Sequence, residues 1–327
     1  MAEQTSPERA TPERPVPERI IIDTDPGVDD SMAILLALAS PEVQVEGLTI
    51  VFGNSDNVRM LARNACVVLE LAQRPEIPVA VGAANPLVRP YHGRGASVHG
   101  ANGLGDIPVP EPSKQPVEQP AAQFIVEQCR AHPGQITLVT IGPLTNIALA
   151  LRLEPELPRL ARRLVMMGGA VTVPGNVNPV AEANVHNDPE AARLVFNAGW
   201  SITMAGLDVT TRIRMDDPYL ESLRDLGNRA GRFIYDITRF YIRAYRERGH
   251  PNMAVHDSSA LMSIIRPELF QSKPVTVDVE TVGELTRGQT IGDWRGQYGR
   301  PPQTELLLDV DAEAFRALYR ERIATLP

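Results

Sequence analysis

Hydrophobic and polar positions along this chain switch repeatedly between strand-like and helix-like spacing. Ile20-Ile21-Ile22 is a short unbroken apolar run, the pattern of a strand covered on both faces. From Asp29 the apolar positions take helical spacing and stop at Ser40-Pro41. Residues 45–52 predict a second strand, 56–73 a helix with Asp56 as its N-cap, and 79–81 a third strand. A stretch dense in Gly and Pro then runs over 82–118, and a loop that long in a compact domain usually has a function. Order resumes with a helix at 121–131, a strand at 136–141, a helix from Leu144 and a strand at 164–167. A second loop is predicted over 168–188, a helix from Pro189, a strand at 202–205, and one or two helices within 219–248.

Strand and helix alternate in this way over about 200 residues, which predicts an α/β fold: an open, mostly parallel central sheet with helices on both faces. In such sheets ligands bind at the carboxyl ends of the strands, so those ends are where chemistry is expected. Residues 1–19 stand apart. Pro-Glu-Arg recurs there at 7–9, 12–14 and 17–19, with almost nothing apolar to bury, so a disordered tail is expected before a single domain over 20–327. The tail has no apolar segment of a secretory signal and carries four glutamates, which a transit peptide avoids.

Composition narrows the function. The chain has 327 residues, 43% of them hydrophobic and 22% charged, enough for a large core. Its net charge of −8 lacks the basic excess that nucleic-acid or anionic-membrane binding requires, so neither partner is expected. The two cysteines, Cys66 and Cys129, cannot make a disulfide scaffold, and they suit a reducing, cytoplasmic compartment.

The strand ends are polar. After the first strand stands Asp23-Thr24-Asp25-Pro26-Gly27-Val28-Asp29-Asp30. Carboxylates this dense repel one another unless a cation or donors compensate, and the Pro-Gly turn lets those on either side converge. Oxygen-only ligands suit a hard cation, Ca²⁺ or Mg²⁺. A solvated helix N-terminus explains Asp29 and Asp30 but leaves Asp23 and Asp25 unexplained. An EF-hand loop beginning at Asp23 needs a glutamate where Ile34 stands, and the later acidic and lysine residues of a haloacid-dehalogenase-type phosphatase are missing. Further strand ends carry Gly53-Asn54, Gly142-Pro143-Leu144-Thr145-Asn146 and Met167-Gly168-Gly169, followed by Asn176, Glu182, Asn184 and Asp188. His99-Gly100 lies in the first long loop and His256-Asp257 far downstream. There is no phosphate-binding or dinucleotide glycine loop and no serine nucleophile elbow.

This ordered series resembles the inosine-uridine nucleoside hydrolase family, from residue 20 nearly to the C-terminus. The resemblance implies hydrolysis of the N-glycosidic bond of ribonucleosides to free base and ribose, purine and pyrimidine salvage, one Ca²⁺, and a homodimer or homotetramer. It makes Asp25 the general base acting on a metal-bound water, and Asp25, Asp30, Asp257 and the Ile141 carbonyl the metal ligands. Threonine is common at the last position, but only its carbonyl is used. Asp29, Asn54, Asn176, Glu182 and Asn184 match residues that hold the ribose hydroxyls, with His99 and Met167 beside them. His256 matches a histidine proposed to protonate a purine leaving group, which suits a side chain that titrates near neutral pH. Tyr241 and Tyr245, at i and i+4 on one helical face, match aromatic residues flanking the base. For them the plainer reading is core packing, for His99 a loop histidine capping a carbonyl, and for His256 a structural contact with Asp257. Two alternatives to a broad hydrolase stay open: a pyrimidine-specific enzyme and a calcium-dependent nucleoside-binding protein without turnover.

Overall fold

The computed structural model describes residues 16–93 and 95–327. Most of the expected tail lies outside them. Among the described residues eleven strands form, in chain order β1 (Glu18–Thr24), β2 (Val43–Ile50), β3 (Val79–Val81), β4 (Ile136–Thr140), β5 (Arg163–Met167), β6 (Ile202–Ala205), β7 (Arg214–Met215), β8 (Met253–Ala254), β9 (Phe270–Val279), β10 (Thr290–Asp293) and β11 (Thr304–Val310). Nine build one open sheet in the order β10-β9-β11-β6-β5-β4-β1-β2-β3. Every pairing from β11 to β3 is parallel, and only β9 runs against the others. β7 and β8 pair separately as a two-stranded ribbon.

The isoleucine run of β1 shows why the sheet is covered twice. Ile20 and Ile22 enter one core and Ile21 the other, as the two-residue alternation of a strand demands. Helices Val28–Leu38, Val58–Leu71, Arg229–Glu247, Asp257–Ile265 and Ala312–Ile323 contribute to the first core. Helices Ala121–Ala131, Thr145–Leu153 and Pro189–Phe196 contribute to the second. Cys66 and Cys129 are buried free thiols, one in each core. No helix among the described residues is long and apolar enough to cross a membrane.

Four local expectations change. β1 starts at Glu18 rather than Ile20, because the Glu18 N–H donates to the Glu42 carbonyl and its carboxylate binds Arg163. The N-cap of helix Val58–Leu71 is Asn57, whose side chain accepts from the Met60 N–H, and not Asp56. The first long loop contains a turn of helix, Ala96–His99. The second contains helix Ala183–Asn187, whose orphan N–H groups are capped by Glu182 rather than by the usual serine or aspartate. Strands β9, β10 and β11, with β9 antiparallel to both of the others, extend the sheet beyond the predicted alternation, and helix Ala312–Ile323 follows them.

Candidate active site

The carboxyl ends of β1, β2, β4 and β5 lie side by side, and the polar motifs meet there. Asp30 is the third residue of helix Val28–Leu38 and reaches back across the Pro26-Gly27 turn. Its Oδ1 accepts from the Thr24 hydroxyl (2.7 Å) and the Asp25 N–H (3.2 Å), and its Oδ2 from the Gly27 N–H (3.0 Å). A carboxylate in the first turn thereby satisfies donors that the helix leaves unpaired. Asn54, beyond β2, locks this turn. Its N–H donates to Asp25 Oδ2 (2.7 Å), and its amide donates to the Asp25 carbonyl (2.8 Å) and Asp30 Oδ2 (2.9 Å).

The Asp25 carboxylate is wedged between two glycines. A Cβ on Gly53 would stand 2.1 Å from its Oδ2, and one on Gly142 would stand 2.7 Å from its Oδ1. Nothing larger fits at either strand end with Asp25 in place.

His99, at the end of helix Ala96–His99, accepts the Val28 N–H at Nδ1 (3.1 Å) and lies 3.8 Å from Asp29 Oδ1. It therefore caps a backbone donor, not a carbonyl. Asp257 opens helix Asp257–Ile265 directly after the β7–β8 ribbon. Asp29, Asp30 and Asp257 each bring a carboxylate oxygen within 4.8 Å of the others, all buried. This trio includes Asp29, expected on the sugar, and leaves out Asp25, expected on the metal, although Asp25 and Asp257 still repel each other.

The next strands supply the amides. Asn184 Nδ2 donates to the Ile141 carbonyl (3.0 Å) and the Met167 carbonyl (3.2 Å), spanning the ends of β4 and β5. The Glu182 carboxylate accepts from the N–H groups of Asn184 (2.8 Å), Val185 (3.2 Å) and Gly169 (2.8 Å), which shapes this loop and leaves Oε1 with a lone pair to spare. Asn176 is exposed and its Oδ1 accepts from the Ala183 N–H (3.0 Å), beside the others but outside the buried cluster.

Helix Arg229–Glu247 closes the opposite side. The Tyr241 hydroxyl donates to Asp29 Oδ2 (3.1 Å), and its ring lies 5.3 Å from that of His99 and 5.1 Å from that of Tyr245. The Tyr245 hydroxyl lies 2.7 Å from His256 Nε2, and the Thr210 hydroxyl lies 2.8 Å from His256 Nδ1. Tyr241 and Tyr245 thus face the acids rather than serving only as core.

Burial is the main force on every acid here, and mutual repulsion adds to it. Both push the carboxyls of Asp25 and Asp257 well above the usual range. Burial lifts Asp29 to about 6, and it lifts Asp30 and Glu182 as well. No lysine or arginine among the described residues is ion-paired to any of the five. Burial also drives His99 down to about 4 and His256 to about 3, so both are neutral at pH 7. The expectation that His256 titrates near neutral pH fails for that reason.

Three supporting residues received no role from the sequence. Asp23 lies beneath the turn, where its Oδ1 accepts from Thr49 (2.5 Å) and Asn146 (2.8 Å), and burial lifts it to about 7. Asp188 accepts from Thr145 (2.7 Å) and the Leu87 N–H (2.9 Å), tethering the first long loop. Tyr91, in that loop, donates to the Gly53 carbonyl and sets its ring edge-on to Phe52 at 5.1 Å. Asp23 and Asp188 stood out in the sequence by their place after strands, whereas Tyr91 carried no signal. A groove of about 540 Å³ lined by Val67, Leu71, Arg229 and Phe233 contains none of the site residues.

Comparison with known proteins agrees with this geometry. The family model described as inosine-uridine preferring nucleoside hydrolase matches residues 20–317. The chain is 40% identical to uridine nucleosidase 1 of Arabidopsis thaliana over 85% of its own length and 84% of the relative's. It is 39% identical to the pyrimidine-specific ribonucleoside hydrolase RihA of Salmonella paratyphi B over 93% and 97% of the two chains. Its structure superposes on a purine-preferring ribonucleoside hydrolase from Gardnerella vaginalis with a TM-score of 0.89, at 34% identity, over 94% of this chain and 98% of the other.

Proposed function

From the premise that this chain belongs to the inosine-uridine preferring nucleoside hydrolase family and is a nucleoside N-ribohydrolase, we propose that it cleaves both inosine and uridine with one bound Ca²⁺ and Asp25 as general base. One observation carries the reading: Asp25, Asp29, Asp30 and Asp257 are buried together at one sheet edge with no lysine or arginine among the described residues paired to them.

The donor set fits a hard divalent cation. Three carboxylate oxygens within 4.8 Å of one another, all buried and mutually repelling, supply the charge and the oxygen chemistry that Ca²⁺ takes. Asp30 and Asp257 of this trio would hold it, with Asp25 and the Ile141 carbonyl, which keeps a lone pair beyond its bond to Asn184, as the further ligands the family set implies, while Asp29 stays with the sugar. Bound there, Ca²⁺ would supply a Lewis acid and a template for the vicinal sugar hydroxyls and the attacking water.

This chain's own groups do the rest. Asp25 accepts the proton of the attacking water as the bond from C1′ to the base nitrogen breaks. Asn54 and the flanking glycines fix the direction in which Asp25 presents its oxygens. Asp29, Asn54, Asn176, Glu182 and Asn184 receive the ribose hydroxyls, beside His99 and Met167, and hold the sugar at the angle of attack. The base departs toward Tyr241, Tyr245 and His256. Neutral at pH 7, His256 acts on the leaving base as a hydrogen-bonding partner through Tyr245.

A narrower reading, turnover of pyrimidine nucleosides alone, draws on the names of the relatives from Arabidopsis and Salmonella. Reducing-sugar release from inosine, uridine, adenosine and cytidine, with Ca²⁺ and with chelator, separates the two. Release from inosine and uridine, lost in chelator and restored by Ca²⁺, is expected. Uridine without inosine selects the narrower reading. Turnover that persists in chelator overturns the calcium assignment, and no release from any substrate overturns the activity. A cytoplasmic homodimer or homotetramer serving salvage completes the reading, and sedimentation tests its assembly.

A further inference from the structure

Thr210 ends the short helix Leu207–Thr210 and is fully buried, with no place in the chemistry above. Its hydroxyl lies 2.8 Å from His256 Nδ1 and has no other partner among the described residues. The next residue behaves differently, since the Thr211 hydroxyl donates back to the Leu207 carbonyl at 2.7 Å. Accounting for one buried proton fixes the state of His256. If the imidazole carried its hydrogen on Nδ1, alone or as imidazolium, Nδ1 would donate to Thr210 Oγ1, and the Thr210 hydroxyl proton would have no acceptor. A buried donor left unpaired costs more than an ordinary hydrogen bond returns. With the hydrogen on Nε2, Thr210 donates to Nδ1, Nε2–H donates to Tyr245 Oη at 2.7 Å, and the Tyr245 hydroxyl, only partly buried, is free to give its own proton to water or a ligand.

We propose that Thr210 is a positioning residue: it holds His256 as the Nε2–H tautomer and so turns the Tyr245 hydroxyl proton away from the imidazole and toward the leaving base. The other end of the row agrees. Tyr241 donates to the Asp29 carboxylate, so its proton too is turned away from the imidazole. No proton leaves Thr210, which acts only through the ring it orients.

This inference rests on the hydrolase reading, and its test separates the two. In Thr210→Val the shape stays and the donor goes. The expected loss is roughly tenfold or more in kcat on uridine and inosine, the scale of one hydrogen-bonding contribution to leaving-group departure. On a p-nitrophenyl riboside, whose leaving group departs without help, the loss should be several-fold smaller, and Thr210→Ser should restore nucleoside turnover. Equal losses on both substrate types, with no rescue by serine, would overturn the proposal while leaving the hydrolase reading intact. Long-range ¹H–¹⁵N spectra of the unmutated protein, with His256 assigned by comparison with His256→Gln, decide it independently of activity. A protonated Nε2 and a bare Nδ1 are expected, and the reverse pattern overturns the idea.

Discussion

β1 carries carboxylates at both ends, and the two ends treat them in opposite ways. At its start, Glu18 accepts from the Thr137 hydroxyl at 2.6 Å and pairs with Arg163 at 2.9 Å, while Arg19 pairs with Glu46 at 2.7 Å. Each charge there meets its opposite at the rim of the sheet. At its end, Asp23 and Asp25 lie buried with Asp29, Asp30 and Asp257, and none is ion-paired to lysine or arginine among the described residues. Folding alone does not favour the second arrangement, because burying like charges raises the cost of each. A matched pair can be explained by the fold, whereas an unmatched buried cluster points to a ligand that supplies the missing charge. The same strand therefore separates structural from functional carboxylates by their partners rather than by residue type.

The sharpest way to break this contrast is at Asp25. Asn in its place keeps size and most hydrogen bonding but cannot take a proton. Asp25→Asn should lower kcat by about 10² or more, in line with general-base contributions, while circular dichroism and thermal unfolding show an intact fold. Near-normal turnover would make Asp25 a structural acid like Glu18. Gly53→Ala probes the same carboxylate from outside. The added Cβ would fall 2.1 Å from Asp25 Oδ2, so the carboxylate must move. A loss of roughly tenfold in kcat with little change in KM is expected, since small misplacements at a reacting group are expensive. A rise in KM alone would mean that Gly53 serves substrate binding instead.

How far this contrast was legible in the sequence follows from distance along the chain. The isoleucine run, the alternation of strand and helix, and the Asp-Thr-Asp-Pro-Gly turn are local patterns, and the parallel sheet with acids at its carboxyl edge follows from them. The family resemblance brought in Asp257 and Asn184, which no local pattern ties to Asp25. Three kinds of information stayed hidden. The strands β9 to β11 pair beyond the regular alternation. Glu182 also accepts from three backbone N–H groups, a loop-shaping task that its position in the sequence does not announce. The neutrality of His256 depends on burial by the β7–β8 ribbon and helix Arg229–Glu247, which sequence spacing does not disclose. Thr210 and Tyr91 matter through one hydroxyl each, and hydroxyls are too common to signal a role.

The pH dependence of stability sharpens the comparison without touching turnover. A carboxyl raised in the folded state holds its proton there while the unfolded chain has lost it. Stability is then present at low pH and is lost as pH rises through the folded value. Asp23 at about 7 and Asp29 at about 6 place this loss between the ordinary carboxylate range and the neutral region, and Asp25 and Asp257, raised well above their usual range, act in the same direction. His99 and His256, at about 4 and about 3, contribute with the opposite sign up to the ordinary histidine range and offset part of that loss. Because the raised acids outnumber the two histidines, calcium-free protein should lose stability between about pH 4 and pH 7, by up to about 1.4 kcal/mol per pH unit for each net proton retained by the fold. Saturating Ca²⁺ should flatten the slope. Denaturant melts across that range measure it, and a calcium-independent flat profile would mean that the acids are compensated by groups of the chain itself.

The smallest effect belongs to the other end of β1. Glu18→Gln keeps an acceptor for the Thr137 hydroxyl and removes only the charge facing Arg163, whose side chain is 30% exposed. A partly exposed ion pair of this kind contributes about 0.2 to 1 kcal/mol, and added salt should erase most of it. The change should thus shift the denaturant midpoint slightly at low ionic strength, leave it unmoved at high ionic strength, and alter neither kcat nor KM. Glu18 lies at the opposite end of the strand from Asp23 and Thr24, so nothing connects it to the carboxylate cluster except the strand itself. A fall in kcat on the scale of Gly53→Ala would show that strain at the amino end reaches Asp25 through β1. The two ends would then be one coupled system rather than a scaffold and a site.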